Sequence, residues 1–152
     1  IPRHEHRVRT FSRDYALLTG VGDRYAIESD EARELTSIVA ERFGVVEPEL
    51  AFNRRRRPDT GQCWAPRRLA IEQHGEPQIL AWERHYQREY PVNGQIRLGA
   101  STSLRTLAHE LGHHLVHLLE PTRTPAHGKV WVGRFDDAME SIAERLGAAI
   151  IH

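Results

Sequence analysis

The stretch STSLRTLAHELGHHLVHLLEP, residues 101–121, has the clearest periodicity in this chain of 152 residues. Its apolar side chains recur at spacings of three and four residues, which predicts an amphipathic helix with one broad apolar face. Thr102 or Ser103 can cap its N-terminus, and Pro121 ends it. Because this face needs other elements to cover it, the helix sets the frame of the fold.

Weaker patterns on both sides predict the remaining elements. One helix is expected from Ser29, which can cap it, to Gly44, and a last helix begins at about Lys129. Residues 49–100 change to the alternating period of strands and contain many Pro and Gly residues. A short helix over Ser12–Thr19 is also expected. The strand candidates contain Leu50 and Phe52, Leu69 and Ile71, Ile79 and Leu80, and Ile96 and Leu98.

These segments predict an α+β protein. A small sheet of three or four strands would pack on the helix of residues 101–121, with an N-terminal and a C-terminal helix around it. The length fits one domain over residues 1–152, and the polar residues 1–10 are expected to be disordered. The strand around Gln95–Leu98 directly precedes the central helix, and we expect it to be an edge at which an extended peptide can pair.

The composition excludes several classes of protein. The chain holds 21 basic and 21 acidic residues, and its 39% hydrophobic content is too high for a disordered protein. No apolar run approaches the ~18 residues of a membrane span, and no signal peptide is recognisable, so no membrane partner is expected. Cys63 is the single cysteine, which excludes an intrachain disulfide and favours a reducing, cytoplasmic compartment.

The central stretch contains an H-E-x-x-H motif made of His109, Glu110 and His113. Residues four apart on a helix have Cβ atoms roughly 5–6 Å apart, so both imidazoles can bind one zinc ion at about 2.0–2.1 Å. Glu110 lies beside such an ion, where it can accept a proton from the water that zinc acidifies. The motif predicts one Zn²⁺ per chain and hydrolysis of an amide.

A catalytic zinc usually takes a third protein ligand, and two candidates stay open. His127 lies 14 residues after His113 and is followed by glycine, so the backbone can bend and present the imidazole to the preceding helix. Glu140, on the last helix, is the alternative, because gluzincin-type enzymes place a glutamate ligand there. His117 is excluded because eight residues of helix separate it from His109 by about 12 Å.

The pattern of two motifs, residues 109–113 followed by His-Gly-x-x-Trp at residues 127–131, resembles that of SprT-like zinc metalloproteases. That family has H-E-x-x-H followed by H-G-x-x and an aromatic residue. The chain is also similar to small actinobacterial metallohydrolases that carry both motifs. The resemblance covers about residues 94–142.

The resemblance implies a zincin-like fold and a zinc metallopeptidase. In it, His109, His113 and His127 would bind zinc, and Glu110 would be the general base. Some members of the family cleave proteins crosslinked or bound to DNA, so the resemblance also implies DNA-associated proteins as substrates.

A second resemblance keeps another class of function open. The stretch Thr106–His114 is similar to ImmA/IrrE-type metallopeptidases, whose third ligand is a downstream glutamate, here Glu140. The alternative function is a metal-stabilised regulatory or binding module, ImmA/IrrE-like or phage-associated, that binds a partner and cleaves nothing. The presence of Glu110 argues against it, because a structural site has no use for that carboxylate.

One short segment is strongly basic within this neutral chain. Residues 54–68 contain six basic residues and one acidic residue. Six arginines there can contact phosphate backbones: Arg54, Arg55, Arg56, Arg57, Arg67 and Arg68. The other interpretation is a solvated loop in an arginine-rich protein, since Lys129 is the one lysine. DNA is therefore a hypothetical partner beside a protein or peptide substrate.

Overall fold

The computed structural model describes residues 26–53, 60–99, 102–121 and 124–146. The elements in these ranges are, in chain order, β1 (Ala26–Ile27), α1 (Ser29–Phe43), β2 (Glu49–Asn53), β3 (Gly61–Trp64), α2 (Arg67–His74), α3 (Glu76–Tyr86), β4 (Gln95–Gly99), β5 (Thr102–Ser103), α4 (Leu104–Leu119) and α5 (Lys129–Arg145). The α+β class is confirmed. The predictions for residues 1–10 and Ser12–Thr19 lie outside the described residues.

The larger sheet has three strands in the order β2-β4-β3. Strand β4 pairs in parallel with β2 and antiparallel with β3, and its Ile96 and Leu98 are fully buried. The prediction that Gln95–Leu98 forms an edge for peptide pairing is therefore wrong. The reason is that β3, for which the sequence has no strand pattern, occupies the second side of β4. A separate antiparallel pair joins β1 to β5.

Helix α4 lies at the centre of the hydrophobic core. The Ser103 Oγ caps it by accepting a hydrogen bond from the Thr106 backbone N–H at 3.1 Å, as predicted. The side chains that α4 buries include Leu107, Leu111 and Leu115. They pack in one core with α1, α5 and the inner face of the sheet, so the helix with the motif is held from several sides.

Helices α4 and α5 approach each other closely at Gly112. A Cβ atom built at this glycine would lie 3.0 Å from Trp131 Nε1 and 3.2 Å from the Phe135 backbone. The other long helix, α1, ends at Gly44 in a left-handed conformation with φ of 65°, as expected. Exposed ion pairs then join α1 to the end of α5 through Arg42 with Glu144 and Arg145 with Glu34.

Two of the predicted strands are helices. Leu69 and Ile71 lie in α2, and Ile79 and Leu80 lie in α3. Each helix is short and buries a single residue fully, so neither has the broad apolar stripe by which a helix is recognised. No helix within the described ranges has the length and apolar character needed to cross a membrane.

Candidate metal centre

Three imidazoles converge where α4 faces the segment before α5. The Nε2 atom of His127 lies 2.9 Å from His109 Nε2 and 3.0 Å from His113 Nε2. Tetrahedral coordination at a Zn–N distance of about 2.0–2.1 Å places ligand nitrogens about 3.3 Å apart, so these two distances are within a few tenths of an ångström of that geometry. These three side chains can hold one metal ion. Imidazole ligands suit zinc, copper, iron and nickel alike.

His127 reaches the cluster from a strained turn. Its φ angle is 58°, in the left-handed region that residues other than glycine seldom adopt. The turn is closed by a hydrogen bond from the Gly128 N–H to the Pro125 carbonyl oxygen at 3.1 Å. The sequence predicts a tight bend at His-Gly, but the histidine, not Gly128, adopts the left-handed conformation. Such strain is typical of sites where function requires one geometry.

Burial keeps the imidazoles on α4 neutral. It lowers the pKa of His109 to about 4, and the neighbouring His127 and Arg105 add to this effect. It lowers the pKa of His113 to about 3, with further contributions from the surrounding histidines. Both side chains are therefore deprotonated at pH 7, the state in which a histidine can bind a metal ion.

The Trp131 ring packs against all three imidazoles of the cluster. Its ring centroid lies 4.7 Å from that of His109, 5.3 Å from that of His113 and 4.7 Å from that of His127. The indole Nε1–H donates a hydrogen bond to the His109 carbonyl oxygen at 3.3 Å. In the sequence, Trp131 is only the aromatic residue of the second motif. It is buried, but it also restricts all three imidazoles, and the aromatic position of the second motif is the signal for this role.

Glu110 lies beside the histidine cluster without belonging to it. Its side chain is buried, and its Oε1 lies 3.6 Å from His109 Nε2. Strand β3 packs closely against the Glu110 side chain, because a Cβ atom at Gly61 would lie 2.8 Å from Glu110 Cγ. Burial, together with the charge of Glu110, raises the pKa of the Cys63 thiol, so this thiol stays protonated. The carboxylate of Glu110 is thus placed where it can accept a proton from a group at the cluster.

The alternative ligand, Glu140, does not lie at the histidine cluster. Among the described residues, the one group of donor side chains close enough to share a metal ion consists of His109, His113 and His127. Glu140 lies on α5 and is half-buried. The histidine scheme therefore has the geometry that the glutamate scheme lacks.

Two further histidines of α4 have other surroundings. His114 is buried, and its Nε2 lies 2.8 Å from the Val46 carbonyl oxygen, so it joins α4 to the segment after α1. His117 lies one turn beyond His113 and lines a cavity beside it. Burial lowers the pKa of both imidazoles.

The arginines proposed to contact phosphate are in different situations. Arg67 is held by Glu83 through two hydrogen bonds, from Nε at 3.1 Å and from Nη2 at 3.0 Å. The Glu83 carboxylate raises the pKa of Arg67 and largely cancels its charge. Arg68 is exposed on α2, and residues 54–57 lie outside the described ranges. Of these six arginines the structure describes Arg67 and Arg68, and only Arg68 has a charge that the ion pair with Glu83 does not neutralise.

Comparison with known proteins assigns no family to the chain. Protein-family models, curated proteins and solved structures gave no match. The resemblance to SprT-like metalloproteases therefore stays a prediction made from two motifs. What the protein does has to be inferred from the geometry of the three histidines and Glu110.

Proposed function

We propose that this protein is a zinc-dependent peptidase in which His109, His113 and His127 hold the metal ion and Glu110 is the general base. The observation that carries the proposal is the cluster of three imidazoles with the buried Glu110 carboxylate 3.6 Å from one of them, His109. Structural zinc sites normally use four protein ligands, whereas catalytic sites use three and leave one position for water. The described residues supply three, which fits the catalytic type.

When bound, zinc lowers the pKa of a water molecule and polarises the scissile carbonyl group. The chain itself supplies the proton transfer. Glu110 accepts the proton of the attacking water and donates it to the departing amine. Gly61 supports this role, because its lack of a side chain lets β3 pack directly on Glu110 and restrict its rotation. The motif resemblance adds DNA-associated proteins as a substrate class.

The test compares zinc content and peptide cleavage in the same preparations. The protein is stripped with a chelator, reloaded with zinc and incubated with an unstructured protein and a peptide library, with and without DNA. We expect one zinc per chain and cleavage that requires it. Glu110→Gln should keep the zinc but lose about 10²–10⁴-fold in kcat, whereas His127→Ala should lose both.

Glu140→Gln is the matched control, since it removes a carboxylate that lies outside the cluster. It should keep both zinc and activity, and loss of its zinc would favour the glutamate scheme. Full activity in Glu110→Gln would overturn the assignment of the base. A wild-type protein that binds zinc but cleaves nothing, even with DNA, would instead be a binding module.

A further inference from the structure

A cavity of about 370 Å³ opens directly beside His113. Its walls come from α2, from the second half of α4 and from the segment that precedes His127. Ligand pockets in proteins span roughly 300–1,000 Å³, so this cavity lies at the small end of the range and suits one side chain. A peptide whose scissile bond lies at the histidines would have a neighbouring side chain within reach of it.

The lining combines apolar walls with acidic groups. Leu69 of α2, Val116 of α4 and Pro125 supply apolar surface, and Glu72 and Glu120 supply carboxylates. No lysine or arginine is among the described residues that line the cavity. This combination is complementary to a side chain with an aliphatic stem and a cationic end.

The two carboxylates differ in availability. Glu120 is already bound by Arg134, whose Nη2 lies 2.9 Å from its Oε1. Glu72 is exposed on α2, and no described residue forms an ion pair with it. Burial lowers the pKa of His117, so this imidazole in the lining adds no positive charge at pH 7. Among the described residues of the lining, Glu72 is therefore the one acidic side chain whose charge no described residue neutralises.

We propose that this cavity binds the side chain of a substrate residue that flanks the scissile bond, and that Glu72 selects arginine or lysine there. The inference rests on the proposed peptidase function and specifies its substrates. The aliphatic stem of the substrate residue packs on Leu69 and Val116, and its cationic group lies at the Glu72 carboxylate. Glu72 is thus a specificity-determining residue.

The test begins by mapping the bonds that the zinc-loaded protein cleaves in a peptide library by mass spectrometry. Matched peptides then carry Arg, Lys, Gln or Glu at the position that the library identifies, and kcat/KM is measured for each. Wild-type protein should prefer Arg and Lys. Glu72→Gln should reduce the preference for Arg over Gln by about three- to tenfold, mainly through KM, and Glu72→Arg should favour the Glu peptide.

Urea unfolding and zinc content, each compared with the wild type, report whether Glu72→Gln is folded. Glu41→Gln is the charge-matched control, as Glu41 is exposed on α1 and is not among the residues that line the cavity. An unchanged preference in Glu72→Gln, or equal cleavage of the Arg and Gln peptides by the wild type, overturns the subsite and leaves the peptidase standing. Failure of the zinc-loaded wild type to cleave any peptide overturns both.

Discussion

At position 112, the absence of a side chain decides how closely the two helices that build the histidine cluster can approach. A Cβ atom there would lie within 3.2 Å of the Phe135 backbone and 3.0 Å from the indole nitrogen of Trp131. Backbone atoms of a packed helix cannot move independently of the helix. A side chain at residue 112 would therefore require α4 and α5 to separate by a few tenths of an ångström, which would move Trp131 relative to the imidazoles.

Gly112→Ala should consequently destabilise the protein and weaken metal binding. The overpacking costs about 1–3 kcal/mol, which exceeds the gain of about 0.5–1 kcal/mol that alanine brings to a helix interior. Urea unfolding of the metal-free protein measures the first effect, and zinc titration measures the second.

Gly133→Ala is the control for that substitution. Gly133 is an exposed residue in the interior of α5, and a Cβ atom there would have no neighbour within 4 Å. This variant should gain about 0.5–1 kcal/mol in the free energy of unfolding. Equal stability of Gly112→Ala and the wild type would show that the helices can separate without cost.

The residues of the candidate site differ in how far the sequence predicts them. His109 and His113 are set by one local rule, because residues four apart on a helix share a face. The position of His127 depends on a turn with φ of 58°, which no spacing specifies. Glu140 stayed an alternative for the same reason, since only the packing of α5 on α4 decides which side chain arrives.

Among the elements, the two misassigned helices show the limit of periodicity. Helix α2 has eight residues and α3 has 11, and a window this short fits a strand nearly as well as a helix. The residue composition and the position of proline are better signals for these two helices than periodicity is. Pro77 in the first turn of α3 and the run of good helix formers after Arg67 both favour helix.

The order of the strands could not be predicted at all. Strand β3 contains Gly61 and Gln62, which carry little strand propensity, and it exists because it pairs with β4 over a long sequence separation. Its placement is what buries both sides of β4. The long helices α1, α4 and α5 were predictable because each has enough turns to show its apolar face.

The two serines that the sequence offers as helix caps behave differently in the structure. Ser103 makes a capping hydrogen bond to Thr106, whereas Ser29 is the first residue of α1 and makes none as a cap, contrary to the expectation. Ser103→Ala should therefore lower the free energy of unfolding by about 1 kcal/mol, and Ser29→Ala, its matched control, by less than about 0.5 kcal/mol. Urea unfolding compares the two, and equal losses would contradict the assignment of the cap.

For the molecule as a whole, several buried histidines link stability to pH. Burial is the main cause of the lowered pKa of four side chains: His109, His113, His114 and His117. In the unfolded chain these groups titrate near about 6.5. Below that pH these histidines bind protons in the unfolded state but not in the folded state, so acid favours unfolding.

We therefore expect the free energy of unfolding of the metal-free protein to fall steadily from pH 7 towards pH 4, where the fold itself begins to protonate at His109. Urea unfolding at several pH values measures this. His114→Gln, which removes one of these buried imidazoles, should flatten the dependence. Stability that is constant between pH 7 and pH 5 would contradict the expectation.

His127 lies outside the helix that carries the other two imidazoles, and this separation has a consequence for how fast the protein is degraded. An ion held by all three side chains would be a removable cross-link between α4 and the segment that precedes α5. Its binding free energy adds to the free energy of folding. The fraction of molecules that escape degradation would then follow the supply of the ion, so that metal scarcity would lower the amount of the protein and not only its activity.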